Sequence, residues 1–315
     1  MAVKTTFTNQ ELETIFADYH LGNITNTEPI EKGTVQTNYT VETTMGKFIF
    51  RYYENRTEDS VLFETDLLQY LKEHHFPCAG PHADVYGNFV GIYNAKPFAI
   101  FDFMEGNHPV DPNEKQKREL IATAALLHQL TSHFSPMNKE SRWNYDVDFC
   151  LEQAQQAAQR IDSVESRRKL KWIERGLQTL ILPKSLPLGI CHADFDPSNI
   201  LFKNDKLVAL LDFDDANYTY LLFDVVGLIE AWAWTHDKFE VIHFPEAKNI
   251  IHEYMKHRQL TIQEKNHLFD VYKLSIFIDS VWFFDRGNAD DFYEKKKIDF
   301  LDGLGREKFY NLLFN

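Results

Sequence analysis

The sequence predicts a two-lobed α+β fold, with a small antiparallel-sheet lobe followed by a larger, mainly helical one. Three observations predict it. The first hundred residues alternate like paired strands around a single helix. After Gly106 the periodicity becomes helical. Between helical stretches lies a short hairpin flanked by carboxylates, "HADFDPSNILF" at 190–202 with its leading "IC", then "LLDFDD" at 210–215.

The elements follow in order. Residues 28–53 read as a hairpin. "NYTVETT" alternates Tyr39, Val41 and Thr43 against polar neighbours, "MG" at 45–46 turns the chain, and "KFIFRYY" is rich in aromatic and β-branched residues. "TEDSVLFETDLLQYLKEHH" reads as a helix with Val61, Leu67, Leu68 and Leu71 on its apolar side, ended by Pro77, Gly80 and Pro81. "GNFVGIYNAKPFAIFDFME" gives two more strands, so the first hundred residues read β, β, α, β, β. "KRELIATAALLHQLTSHF" and "DVDFCLEQAQQAAQRI" are helical, "NILFK" and "LVALLDF" are strands about "NDK", and from about 221 the chain is mostly helical and rich in aromatics. The lobes are drawn at 1–104 and 105–315, with the natural cleft between them.

Composition narrows the function classes. The 315 residues suffice for two lobes, each with a core. Lys plus Arg is 33 against 47 for Asp plus Glu, a net charge of −14. Such a chain repels nucleic acid and anionic membranes. The best basic patch, "RRKLK" at 167–171, reads as the solvated face of a helix. Cys78, Cys150 and Cys191 are odd in number and far apart, which disfavours a disulfide framework or a zinc site and fits a reducing compartment. The start lacks a signal-peptide core, and "YLLFDVVGLIEAWAWT" is too short and too charged to span a bilayer. A cytoplasmic protein is expected, with no nucleic-acid or membrane partner.

The spacing of the acidic residues carries the chemistry. Asp194 and Asn199 lie five residues apart on a turn entering a strand, and Asp212 ends the return strand. Pairing those strands brings the Asn199 and Asp212 ends together. An amide oxygen and a carboxylate there suit Mg²⁺, which leans on substrate phosphates. Asp194 is left to orient a hydroxyl and take its proton. This is the phosphoryl-transfer layout, a loop H-x-D-x-x-x-x-N followed by a metal-binding Asp before Phe. Asp214 either helps hold the metal or caps the loop.

On these residues the chain resembles the aminoglycoside phosphotransferase and choline kinase superfamily, and within it homoserine kinase type II. The likeness covers about 30–230, through "KGTVQTNYTVETTMGKFIFRYYE", "KPFAIFDFMEG", "AALLHQL", "HADFDPSNILF" and "LLDFDDANYTYLLFDVVGL". It implies a protein-kinase-like fold with a nucleotide-binding N-lobe, and a C-lobe holding the catalytic loop and acceptor site. ATP and Mg²⁺ are the implied cofactors. Residues 33–38, including Gly33, Thr37 and Asn38, would be the loop over the phosphates. Arg51 would meet the α/β-phosphates and pair with Glu64. Residues 102–104, from Asp102 to Met104, would hold the adenine through backbone, with Phe101 behind. Asp194 would be the catalytic base, and Asn199 and Asp212 the metal ligands. His192 and His128 would organise structure rather than react.

The acceptor is a small molecule carrying a hydroxyl. Ala193 stands where protein kinases carry a regulatory Arg, and no long activation segment follows Asp212. Candidates on the C-terminal helices are Asp215, Glu230, Trp232, Trp234, Asp279, Trp282 and Arg286. Acidic and aromatic side chains suit a cationic amine, and Arg286 would suit a carboxylate. Homoserine is the acceptor implied by the resemblance. Choline, ethanolamine, another hydroxy amino acid, a sugar or an aminoglycoside stay open, because "FDDA" replaces the "FYFA" typical of homoserine kinases. A catalytically silent nucleotide-binding protein is the alternative of another class. The sequence sets no oligomeric state.

Overall fold

A computed structural model describes residues 4–31, 35–235 and 241–315. The chain divides into two compact units. The first comprises Met1–Gln116, His133–Arg142 and Pro197–Asp214; the second comprises Lys117–Ser132, Trp143–Asp196 and Asp215–Asn315. The first unit thus reaches past residue 104 and takes in the acidic hairpin.

The first unit opens with helix α1 (Asn9–Phe16) and strands β1 (Ile24–Ile30), β2 (Thr37–Thr43) and β3 (Gly46–Tyr52). Helix α2 (Glu58–Glu73) and strands β4 (Gly91–Tyr93) and β5 (Lys96–Asp102) follow. The five strands form one antiparallel sheet in the order β1-β2-β3-β5-β4. Strand β3 shows why the sheet has two characters. Phe48, Phe50 and Tyr52 are buried, while Ile49 and Arg51 alternate to the opposite face. The buried set joins Phe7, Tyr39, Val41, Phe98 and Ile100, and α1 covers it with Leu12, Ile15 and Phe16.

The sequence reading omitted α1 and β1. Strand β1 carries no alternating apolar face, since Ile24, Thr27 and Ile30 are its only residues that are not exposed, and it holds Pro29 at the sheet edge. Helix α1 has only eight residues, but it did leave a signal. Thr8 caps it and Glu11 closes a capping box, so "TNQE" marks its start.

Helix α3 (Glu114–Leu130) leads into the second unit, which continues with α4 (Val147–Ile161), α5 (Val164–Leu177) and the short strand β6 (Leu188–Cys191). The hairpin β7 (Ile200–Lys203) and β8 (Lys206–Leu210) belongs to the first unit. Its turn, Asn204–Asp205, holds φ of 52° and 57°, the left-handed pair that a two-residue hairpin needs and that Asn and Asp tolerate. Strand β9 (Asn217–Tyr220) pairs with β6 in a short ribbon the sequence did not reveal. Helices α6 (Leu222–Trp232), α7 (Phe244–His257), α8 (Ile262–Asp285), α9 (Lys295–Leu304) and α10 (Arg306–Phe314) complete the unit. Helix α8 is buried around most of its circumference from Leu268 to Phe284, and forms the axis of the helical core.

The "RRKLK" face is not wholly solvated. Arg167, Arg168 and Lys171 are exposed, but Lys169 is buried and donates to the carbonyls of Asn288 and Asp291 at 2.8 and 2.7 Å. Its ammonium ties the 288–292 loop to α5.

Candidate active site

A cavity of about 530 Å³ opens on the non-core face of the first unit's sheet. Ile49 and Arg51 of β3 line it, with Asn38 directly across on β2. Phe101, Asp102, Phe103 and Met104 form another side, and Asn199, Leu211 and Asp212 come from the acidic hairpin. The predicted nucleotide and metal residues Asn38, Arg51, Glu64, Asp102, Met104, Asn199 and Asp212 therefore share one cavity. Thr37 does not line it. Strand alternation turns Thr37 inward, where its hydroxyl donates to Glu54 at 2.7 Å and accepts from the Thr5 N–H. Gly33 lies outside the described residues.

Arg51 is the charge centre of this cavity. One guanidinium nitrogen donates to Asp212 Oδ1 at 2.7 Å, and the other stands 3.8 Å from Glu64 Oε1. Among the described residues, the buried Nε of Arg51 has no hydrogen-bond partner. Burial opposes the guanidinium's charge, but Asp212, Glu64 and Asp214 outweigh it and hold Arg51 protonated. Glu64 is fully buried and accepts from the Tyr53 hydroxyl at 3.1 Å. Burial pushes its carboxyl up to about 7; Arg51 and Arg142 oppose the rise, and Asp214 and Asp212 add to it.

The hairpin fixes Asn199 and Asp212 as its pairing predicts. Ile200 faces Leu210, and the Leu211 N–H donates to the Asn199 carbonyl at 2.7 Å. Asp212 then adopts φ of 60°, a left-handed conformation uncommon outside glycine, which turns the chain out of the strand. The residue two places on behaves differently. Asp214 is buried, accepting from Arg56 Nε–H at 2.9 Å and from the Gln36 amide at 3.0 Å. Burial disfavours its charge, yet Arg56 and Arg51 hold its carboxyl well below the usual carboxylate range. Arg142 donates to its carbonyl. Both carboxylate oxygens are thus engaged by protein, and Asp214 is an anchor of the loop.

Asp102 also acts through structure. Its carboxylate takes hydrogen bonds from Lys72 at 2.7 Å, His82 at 2.8 Å and the Gly80 N–H at 3.1 Å. Burial resists, but His82 and Lys72 lower its carboxyl to about 2. The pinned strand end delivers the backbone of residues 102–104 to the cavity.

In the second unit, Asp194 follows a backbone held from below. Ala193 takes φ of 65°, and its N–H donates to Asp224 Oδ1 at 2.9 Å. The His192 N–H donates to Asp224 Oδ2 at 2.9 Å, and His128 Nε2 reaches the same oxygen at 2.9 Å. Asp224 and His128 are fully buried on α6 and α3, and Tyr254 closes the set against His128 Nδ1. His192 is buried, stacks on Phe195, and accepts the Asp194 N–H at 3.2 Å through Nδ1. Both histidines organise structure. Asp224 was missed as a functional residue. Its signal was available: a single carboxylate inside "LLFDVVGLI" cannot be buried without partners.

The acceptor candidates separate. Glu230 accepts from the Tyr272 hydroxyl and the Lys297 ammonium. Lys297 lies 4.0 Å over the Trp234 ring. Asp279 lies on α8, where desolvation by the surrounding protein pushes its carboxyl up to about 7; Lys297 opposes this, while Glu230, Glu294 and Asp194 reinforce it. The Asp279 side chain still opens to water, so hydration limits the rise. Glu230, Trp234 and Asp279 thus belong to one cluster, joined by Tyr272, Glu294 and Lys297, which the sequence reading did not single out. Trp282 instead packs on Trp143, Tyr145 and Phe149. Trp232 lies beneath Lys117. Arg286 caps α8 from an exposed position against Phe283, and Asp215 sits in a turn whose carbonyl accepts from Asn217.

A family model described as "Phosphotransferase enzyme family" matches residues 26–243. The chain belongs to that family. This phosphotransferase is 30% identical over 274 residues to a homoserine kinase of Nitrobacter winogradskyi, covering 84% of this chain and 80% of that protein. It is 31% identical over 271 residues to a homoserine kinase of a Caulobacter species, covering 84% and 82%. By reaction class the enzyme is a kinase. Among solved structures it resembles an amicoumacin kinase in complex with AMP-PNP, Ca²⁺ and Ami, with a TM-score of 0.67 at 15% identity, covering 97% of this chain and 94% of that one. A spectinomycin phosphotransferase in complex with ADP and spectinomycin gives 0.64 at 11% identity, covering 98% of each. These likenesses show the expected kinase-like fold. Among the described residues, no helix is long and apolar enough to cross a membrane.

Proposed function

We propose that this phosphotransferase moves the γ-phosphoryl group of ATP to the side-chain hydroxyl of homoserine, with Mg²⁺. The cavity that gathers Arg51, Asn199 and Asp212 beside residues 102–104 carries the nucleotide half of the reading. Homoserine rests on the relatives named homoserine kinase. The AMP-PNP and ADP complexes of the structural neighbours support the nucleotide.

The donor set fits a magnesium ion. Asp212 presents a carboxylate whose side chain is 40% exposed, with only Oδ1 engaged by Arg51, and Asn199 shares its cavity. Asp212 and Asn199 would hold the ion, which when bound neutralises charge on the phosphates. Arg51 grips α/β-phosphate oxygens with its planar fork, and Glu64 sets its orientation. The backbone of residues 102–104 receives the adenine, and Asn38 stands beside the phosphates.

Asp194 orients the acceptor hydroxyl and takes its proton. The acceptor oxygen bonds to the γ-phosphorus, the bond to the β–γ bridging oxygen breaks, and ADP leaves. Asp224 sets Asp194 through the backbone. Catalysis is mainly positioning plus electrostatic stabilisation.

The test is ADP release from Mg-ATP across homoserine, serine, threonine, choline, ethanolamine, hexoses and aminoglycosides, with Asp194→Asn as the blank. Homoserine should give the highest kcat/KM. A strong preference for any other member of the panel would overturn the homoserine assignment.

A further inference from the structure

The cluster around Asp279 holds two groups of opposite sign with unused hydrogen-bonding capacity. Glu294 is 95% buried at the start of α9, and its Oε2 has no hydrogen-bond partner among the described residues. An unpartnered buried carboxylate oxygen is costly to keep, and a ligand cation would satisfy it. Lys297 stands three residues later, on the same side of the helix. An ammonium has three donors. Among the described residues, that of Lys297 makes one hydrogen bond, to Glu230, while the Trp234 ring shields a second side at 4.0 Å. Its positive charge also opposes the rise of the Asp279 carboxyl. Glu230 is already satisfied by Tyr272 and Lys297.

An anion would satisfy Lys297, and a cation would satisfy Glu294 and Asp279. A purely cationic acceptor would use only the second, and would be repelled by Lys297. A zwitterion uses both. Asp194 is also near enough to act electrostatically on Asp279.

We propose that Lys297 is the residue that selects an α-amino acid as acceptor, binding its α-carboxylate, while Glu294 and Asp279 take its α-ammonium. This rests on the phosphotransferase reading above and goes beyond it by assigning recognition to residues outside the nucleotide cavity. Arg286, the sequence-based choice for the carboxylate, caps α8 from an exposed position and plays no part.

The experiment compares three acceptors that share a terminal hydroxyl. Homoserine carries both charges, 3-aminopropan-1-ol lacks the carboxylate, and 4-hydroxybutyrate lacks the amine. Lys297→Met should lower kcat/KM for homoserine about 10- to 100-fold, mostly through KM, and leave 3-aminopropan-1-ol unchanged or improved. Glu294→Gln should weaken homoserine and 3-aminopropan-1-ol alike and spare 4-hydroxybutyrate. Lys297→Met leaves Glu230 without its cation, so the pair Glu230→Gln with Lys297→Met is measured beside it, and Lys297→Arg should partly restore homoserine use. An equal loss on homoserine and 3-aminopropan-1-ol in both Met variants would mean that Lys297 only braces the fold, and would overturn the assignment while leaving the kinase reading intact. A wild type that turns over none of the three would instead remove the homoserine reading itself, and the proposal with it.

Discussion

Arg51 donates to Asp212 Oδ1 at 2.7 Å, so the cation assigned to phosphates is held by the carboxylate assigned to metal. The pairing explains how both charges persist in one cavity before a nucleotide arrives. On the proposed function, a magnesium nucleotide would replace this contact with phosphate–Arg51 and metal–Asp212 contacts. Asp212→Ala should therefore abolish the magnesium dependence of nucleotide affinity, measured by titration calorimetry with and without the ion. Unchanged affinity for the magnesium nucleotide would remove the metal role from Asp212. Arg51→Ala should be worse for the fold, since it strands Glu64, and a broken buried pair costs about 3–5 kcal/mol.

Glu64 makes stability depend on pH in a stated direction. Burial raises its carboxyl from the ordinary 4.5 to about 7 in the folded protein. The folded state therefore holds a proton that the unfolded chain has released across that window. This contribution is fully present below about pH 4.5 and is lost as pH rises through about 7. Glu64→Gln should flatten that part of the melting-temperature profile between pH 5 and 8. A profile unchanged by the substitution would place the titration elsewhere.

Much of this was legible in the sequence because the signals were local. The strands at 38–53 announced themselves by alternation, and the hairpin bringing Asn199 towards Asp212 by the "NDK" turn between apolar runs. Alternation also explains why Thr37 lies outside the cavity that its neighbour Asn38 lines, since one residue's shift along a strand moves a side chain to the other face. Strand β1 stayed hidden because an exposed edge strand needs no apolar pattern. The cluster around Asp279 was legible only in part. Glu230, Trp234 and Asp279 stood out by type, but Glu294 and Lys297 look in sequence like any charged helix start. Their burial depends on packing between distant helices, which no local pattern records. In sequence Asp214 reads equally as a metal ligand or a loop cap, because its contacts to Arg56 and Gln36 come from residues 158 and 178 positions away.

The Asp224 carboxylate accepts the backbone N–H groups of His192 and Ala193, just before Asp194, and faces His128 from within the core. Asp224→Ala leaves those donors buried and unpaired, at about 1–3 kcal/mol each. We expect a clear fall in melting temperature and a loss of turnover that exceeds the loss of nucleotide affinity, because Ala193 must keep φ of 65° for Asp194 to stay aimed. Asp224→Asn keeps the volume but can accept through only one atom, so it should fall between. Nucleotide titration and single-turnover kinetics on the folded Asn variant separate the two effects. Turnover that fell only in step with nucleotide affinity would refute the positioning role.

Asp194 itself gives the most direct test of the chemistry. Asp194→Asn preserves size and the N–H donated to His192 Nδ1, so the loop should stay folded. It removes the acceptor for the hydroxyl proton, which general-base contributions put at about 10²- to 10⁴-fold in kcat. Magnesium-nucleotide affinity should change little. Asp194 also acts on Asp279, and reinforces the rise of that carboxyl. Removing the Asp194 charge should therefore lower the Asp279 pKa, so that Asp279 ionises at lower pH. In the wild type, acceptor KM should fall as pH rises from 6 to 8, because ionised Asp279 holds the ammonium. In Asp194→Asn, acceptor affinity measured by calorimetry should reach its plateau at lower pH. A plateau at the same pH in both proteins would show that the two carboxylates are not coupled, and would leave Asp194 a base without influence on acceptor binding.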